Sequence, residues 1–134
     1  MNFTSDSTIY ECLCQYFQLH PEIKQVILFG SLARGNFRQE SDVDLAIALE
    51  HVLGASEKQR LLEEVAVVVG RPVDLIDLKV VGEPLLGQIL RYGKQLVGDR
   101  SMYADLLSKH VTSQADFMPY RQHILDERRK AWIG

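Results

Sequence analysis

The sequence predicts an α/β (α+β) domain in which short apolar strands alternate with amphipathic helices, and three observations predict it. Two apolar runs, Val26–Phe29 and Leu45–Leu49, are separated by a polar, turn-rich stretch. Apolar residues recur at helical spacing on either side of that pair, at Ile9, Leu13 and Phe17 and again at Leu61, Leu62, Val65 and Val68. A third strand-like run, Pro72–Leu78, carries two acids within it. The resulting order is α-β-α-β-α-β-α followed by further helix, with no internal repeat and no low-complexity tract. At 134 residues this is one domain, 1–134, with a core over about 7–98 and a helical C-terminal segment over about 99–134.

Each element has a local reason. Thr8-Ile9-Tyr10-Glu11 reads as a capping box, and Pro21 closes the first helix. The strand Val26–Phe29 runs into Gly30-Ser31, which opens a short helical segment, Leu32 to Asn36. Residues 35–41 are polar and rich in turn formers, hence a loop. Beyond the second strand, Ser56-Glu57-Lys58-Gln59 reads as a second capping box, and its helix ends at Gly70. A helix from about Glu83 to Tyr92 has Pro84 in its first turn and Gly93 past its end. Gln95-Leu96-Val97 fits a short edge strand. From Asp99 onward, helices break around Thr112-Ser113 or Pro119.

The chemistry concentrates around one spacing. Ten residues separate Gly30-Ser31 from Asp42-Val43-Asp44. Side chains in a strand repeat with period two, so Asp42 and Asp44 share a face, roughly 6.5 Å apart along the backbone, and their carboxylates can converge on divalent cations. Attack on a nucleoside triphosphate accumulates negative charge, which Mg²⁺ neutralises and hard oxygen ligands hold in place. Gly30 admits a phosphate without a Cβ in the way, Ser31 offers a hydroxyl and an N–H at a helix start, and Arg34 lies one turn further on as a charge-assisted donor. A third acid completes such a site or takes the proton of an attacking hydroxyl. Alternation puts Asp74 with Ile76 and Leu78 on one face, and Asp77 with Val73 and Leu75 on the other. Asp74 is favoured because β-formers flank it near mid-strand, and Asp77 reads as a solvent-facing residue at the strand exit.

Gly30-Ser31, Ala33-Arg34-Gly35, Ser41-Asp42-Val43-Asp44-Leu45 and Val73-Asp74-Leu75 together resemble the minimal nucleotidyltransferases of the DNA polymerase β-like superfamily, and within it the MntA-type antitoxins paired with HEPN-domain toxins. The resemblance implies a polymerase-β-like palm, a small mixed sheet with flanking helices. It implies ATP as donor, two Mg²⁺ ions on Asp42, Asp44 and Asp74, and triphosphate on Gly30, Ser31 and Arg34. It further implies an antitoxin of a type VII-like pair that transfers AMP to a tyrosine hydroxyl of its HEPN ribonuclease toxin, within a hetero-oligomeric complex. Two alternatives remain open at this point: an antitoxin that acts by occlusion without catalysis, and a nucleotidyltransferase for a small molecule such as an antibiotic. The chain is too short to carry a separate acceptor-holding domain, which favours an acceptor that brings its own surface.

Composition narrows the partners. Fifteen basic against eighteen acidic residues give a net charge of −3, which argues against direct wrapping of nucleic acid and against a polymerase fragment. No stretch approaches the ~18 apolar residues of a membrane helix, and the polar start is unlike a signal peptide, so the expected setting is cytoplasmic. Cys12 and Cys14 are expected as buried free thiols, since their helical positions diverge too far for a bridge. His110 and His123 read as packing or surface residues, with no carboxylate evident beside them. Tyr103, Phe117, Tyr120 and Trp132 are either core cover or partner contacts, and Arg121, Arg128, Arg129 and Lys130 form a basic tail.

Overall fold

The computed structural model describes residues 6–35 and 42–112. Eight elements follow in the order α1 (Asp6–Gln18), β1 (Gln25–Phe29), α2 (Ser31–Arg34), β2 (Val43–Ala48), α3 (Ala55–Val69), β3 (Val73–Asp77), α4 (Leu85–Tyr92) and β4 (Lys94–Val97). Residues 100–112 are helical and are called α5. The strands form one mixed sheet in the order β3-β2-β1-β4. β1 runs antiparallel to both β2 and β4, whereas β2 and β3 are parallel, a pairing that needs the α3 crossover between them.

Period-two alternation gives the sheet two apolar faces. Val26, Leu28, Val43, Leu45, Ile47, Val73 and Leu75 point to one side, where α1 supplies Ile9, Leu13 and Phe17 and α3 supplies Leu61, Val65 and Val69. On the other side Ile27, Ala46 and Ala48 meet Leu86, Ile89 and Leu90 of α4 and Leu106 of α5. The α3 stripe thus runs through Val69, and Val68 is 37% exposed. Steps of four residues keep Leu61, Val65 and Val69 aligned, whereas position 68 rotates off the stripe.

The helix ends differ from both capping boxes. α1 begins at Asp6, which leaves Thr8 inside its first turn. α3 begins at Ala55 with Gly54 at its N-cap and no side-chain cap, Lys58 N–H donating to Gly54 O at 2.9 Å. The C-terminal signal holds: Gly70 adopts φ 69° and its N–H donates to Ala66 O at 2.8 Å, a left-handed cap that a Cβ disfavours. Cys14 is exposed and Cys12 half-buried, both free, so the expectation of buried thiols fails. Leu13 occupies the buried stripe of α1, and its near neighbours in sequence are turned aside from it.

In the C-terminal part, Leu106 is buried and the Tyr103 hydroxyl donates to Leu90 O at 2.9 Å, so Tyr103 serves this domain's own packing. The expectations on Phe117, Pro119, Tyr120, His123, Trp132 and the basic tail lie outside the described residues.

Candidate active site

The strand register gathers the motif residues. Phe29, the last residue of β1, pairs with Asp44 of β2, and Asp44 pairs with Asp74 of β3. Directly paired residues project to the same side of a sheet, so Phe29, Asp44 and Asp74 form a row across three strands, with Ile27, Ala46 and Ile76 as the next row. This row belongs to the α4 side. Asp74 is exposed and Asp44 half-buried. Asp42 is exposed and precedes the first residue of β2; with Val43 buried between them, it falls on the side of Asp44.

The Gly-Ser turn is in contact with this row. Gly30 adopts φ 81°, ψ −155° at the N-cap of α2, in the left-handed region that favours glycine. A Cβ there would overlap Oδ2 of Asp44 and stand 3.0 Å from its Cγ. The glycine is therefore required both by the turn and by the carboxylate lying against it. Ser31 follows as the first residue of α2, half-buried, and Arg34 closes the same single turn before Gly35 ends it at φ 79°. One end of the sheet thus holds the turn and all three acids Asp42, Asp44 and Asp74.

Asp77 is placed elsewhere, and not in solvent. It is 8% exposed, on the α3 side of the sheet. Its Oδ2 accepts the N–H of Leu53 and its Oδ1 the N–H of Lys79, each at 2.9 Å. Both oxygens are committed to holding the loop before α3 and the turn after β3. An aspartate at a strand exit, two residues before an unpaired N–H, is a familiar turn former, and that was the signal available in the sequence. His110 also departs from expectation, since its Nδ1 pairs with Glu83 Oε2, while Glu83 Oε1 accepts the Gly87 N–H at 3.1 Å. The pair joins α5 to the start of α4.

Among the described residues, no three His, Cys, Asp or Glu groups are drawn together as a ready metal cage. The donors at the site are nevertheless all hard carboxylate oxygens, with Asp44 lying against the Gly30-Ser31 turn. That fits Mg²⁺, which is commonly held by one or two carboxylates together with substrate phosphates and not by an all-protein cage. A cleft of about 550 Å³ lies at the opposite end of β1 and β2, bordered by Lys24, Ala48, Leu78, Met102 and Lys109, and holds none of these groups. Chemistry, more than concavity, marks the site.

Tyr16 of α1 and Glu57 and Glu64 of α3 have perturbed ionisation. Burial, then a 2.6 Å hydrogen bond donated to Glu64, pushes the Tyr16 hydroxyl well above its usual range. The same bond holds the Glu64 carboxyl below the usual range. Glu57 is likewise lowered by its hydrogen bond with His51. These groups tie helices and loops and stand apart from the acidic row.

Comparisons with known proteins agree with this fold. The protein adenylyltransferase MntA of Shewanella oneidensis is 28% identical over 107 residues, covering 80% of this chain and 77% of the relative. A toxin–antitoxin crystal structure with AMP-PNP superposes at a TM-score of 0.74 with 25% identity, covering 88% of this chain and 96% of that one. A tri-AMPylated Shewanella oneidensis HEPN toxin in complex with its MNT antitoxin matches at a TM-score of 0.70 and 22% identity, covering 92% and 98%, a likeness of fold. The model of the polymerase β nucleotidyltransferase family matches residues 11–102, the span that carries the turn, the acidic row and the whole sheet. The chain belongs to that nucleotidyltransferase family.

Proposed function

We propose that this chain is an antitoxin that works as a protein adenylyltransferase, transferring AMP from ATP to a tyrosine hydroxyl of a cognate HEPN-domain toxin. The observation that carries the reading is the contact of Gly30 with the Asp44 carboxylate, directly across from Asp74. It sets the Gly-Ser turn against a row of acids on the sheet, which supports reading the turn as the phosphate side. The similarity to MntA and to a toxin–antitoxin complex holding AMP-PNP supports the donor and the kind of acceptor.

In this reading the N–H groups and hydroxyl at Gly30-Ser31 bind the β- and γ-phosphates, and Arg34 adds a cation to the same end. Asp42, Asp44 and Asp74 would hold Mg²⁺, as two ions; bound there, Mg²⁺ supplies neutralisation of the triphosphate. The acceptor phenol oxygen forms a bond to the α-phosphorus, the bond from that phosphorus to the bridging α,β oxygen breaks, and pyrophosphate departs. Asp74, exposed at the end of the row, takes the phenolic proton. Phe29 and Ile76 flank the acids and limit water on that side.

The intact mass of the co-expressed HEPN partner tests this, after incubation with the chain, Mg²⁺ and ATP. The expected result is a gain of one or more AMP units that is lowered at least about 10²-fold in rate by Asp42→Asn with Asp44→Asn, the general size of a lost preorganised charge. No gain, with a stable complex still formed, would show inhibition by occlusion. Transfer at the wild-type rate by the double variant would remove the carboxylates from the mechanism.

A further inference from the structure

We infer that α5 is a detachable strap: it opens from α4 and the sheet as one unit while the strands stay folded, and a clasp of His110, Glu83 and Gly87 holds it shut. The inference stands apart from the adenylyl-transfer reading, which gives α5 no role. Apolar burial is what ties a helix to a core, and regions with little of it open locally. α1 buries Ile9, Leu13, Tyr16 and Phe17, α3 buries Leu61, Val65 and Val69, and α4 buries Leu86, Ile89 and Leu90. Among the described residues α5 buries Leu106 alone. Its other aliphatic positions look outward, with Ala104 exposed and Leu107 and Val111 at 41% and 61% exposure.

What holds α5 is largely polar. The Tyr103 hydroxyl donates to Leu90 O at 2.9 Å, Lys109 Nζ donates to Leu78 O at 3.1 Å, and His110 Nδ1 pairs with Glu83 Oε2. At the clasp, Glu83 Oε1 accepts the Gly87 N–H at 3.1 Å, and a Cβ on Gly87 would stand 2.8 Å from His110 Cε1. The imidazole thus lies on the bare backbone of α4, in a seat that any side chain at position 87 would fill. The side chains of His110 and Glu83 are 27% and 23% exposed, so water reaches the clasp and can take over its bonds. Hydrogen bonds that water replaces contribute little net, and the area that opening exposes is centred on one leucine. Both keep the free energy of opening below that of the whole fold. Met102, Leu106 and Lys109 of α5 also wall the cleft of about 550 Å³, facing Ala48, Leu49 and Leu78. Opening therefore uncovers an apolar floor at the end of the sheet away from the acidic row.

Native-state hydrogen exchange of the full chain, read by mass spectrometry, tests the strap with two substitutions outside the proposed catalytic and nucleotide-binding groups. In the wild type the amides of α5 are expected to exchange together, at least about tenfold faster than those of β1 and β2. Their rate should also depend less on dilute urea, because a local opening exposes less surface than unfolding. His110→Ala removes the ring and installs a better helix former, so faster exchange confined to α5, by about fivefold, reports the clasp and not helix propensity. Gly87→Ala should quicken α5 likewise by displacing the ring, although alanine strengthens α4 itself. The fluorescence of anilinonaphthalene sulfonate, a dye that brightens on apolar surface, should rise in both variants. Exchange of α5 at the rate and urea dependence of the strands would overturn the strap, since the helix would then open only with the whole fold. Unchanged α5 exchange in His110→Ala, or equal quickening in the strands, would overturn the clasp. Dye fluorescence equal to wild type in a variant with a loosened α5 would overturn the uncovering of the cleft.

Discussion

Under α1 and α3 the sheet is closed from one end to the other, with Ile9, Leu13, Val26, Leu28, Val43, Leu45 and Leu75 all without solvent contact. Under α4 and α5 the covering is shorter. Ile27, Ala46 and Ala48 are packed, but the row that includes Asp44 and Asp74 is left open at one end. The same strands build both faces, and alternation decides which residue goes where. Stability is concentrated on one face, and the other has freedom to carry charge. Leu45 and Asp44 are adjacent in the chain, yet one lies in the core and the other in the open acidic row.

The largest effect should come from substitution where the two regions of the open face touch. Gly30→Ala would force a Cβ onto the Asp44 carboxylate and a side chain into a left-handed backbone. Displacing a positioned charge costs about 10²–10³ in rate, and the backbone about 1–2 kcal/mol of stability in addition. Steady-state AMP transfer beside a thermal melt would check both. An active, equally stable Gly30→Ala would separate the turn from the acids and dissolve the site as drawn.

Leu13→Ala probes the closed face. Leu13 is fully buried between sheet and helices, and the loss should be about 2–5 kcal/mol by urea unfolding. Activity per folded molecule should not change at a temperature where the variant is still native. A selective loss of activity there would show that the two faces are coupled through the sheet.

The two acids of β3 sharpen the contrast within a single strand. Asp77→Ala removes the acceptor of the Leu53 and Lys79 N–H groups, at about 0.5–1.5 kcal/mol per bond. Asp74→Ala removes a charge from an exposed position and should leave the melting temperature close to wild type while AMP transfer falls. If the two variants exchanged phenotypes, the proton acceptor would be on the wrong face.

Much of this was legible in the chain because it is local. The Gly-Ser turn, the Asp-x-Asp and the period-two strands are short-range patterns, and each one survives in the structure with its neighbours. The alternation in Val73–Asp77 even separated Asp74 from Asp77 correctly by face. Alternation does not reveal what a strand end meets, and the partners of Asp77 are 24 and two residues away. The pairing of His110 with Glu83, 27 residues apart, is equally a product of packing. Neither box marks its helix start, because α1 begins at Asp6 and α3 at Ala55, each ahead of the residue read as the cap. The contact of Gly30 with Asp44 needs the antiparallel register of β1 and β2, which no spacing states.

The smallest effect separates the closed face from its surface ties. The Tyr16 hydroxyl donates to Glu64 at 2.6 Å, linking α1 to α3. Tyr16→Phe should cost about 1 kcal/mol, the usual net value of one hydrogen bond. The pH dependence gives the bond a signature. Glu64 has its folded-state pKa depressed, first by this bond, so its contribution is present above the ordinary carboxylate range and fades as pH falls through the folded value. Tyr16 has its pKa raised, so its contribution is complete below about pH 10 and fades as pH rises beyond it. Urea unfolding from pH 3 to 11 should therefore show the wild-type advantage over Tyr16→Phe as a plateau near neutrality that narrows at both ends. A constant difference across that range would assign the loss to packing of the ring against Phe17 and His20, and the helix tie would lose its electrostatic component.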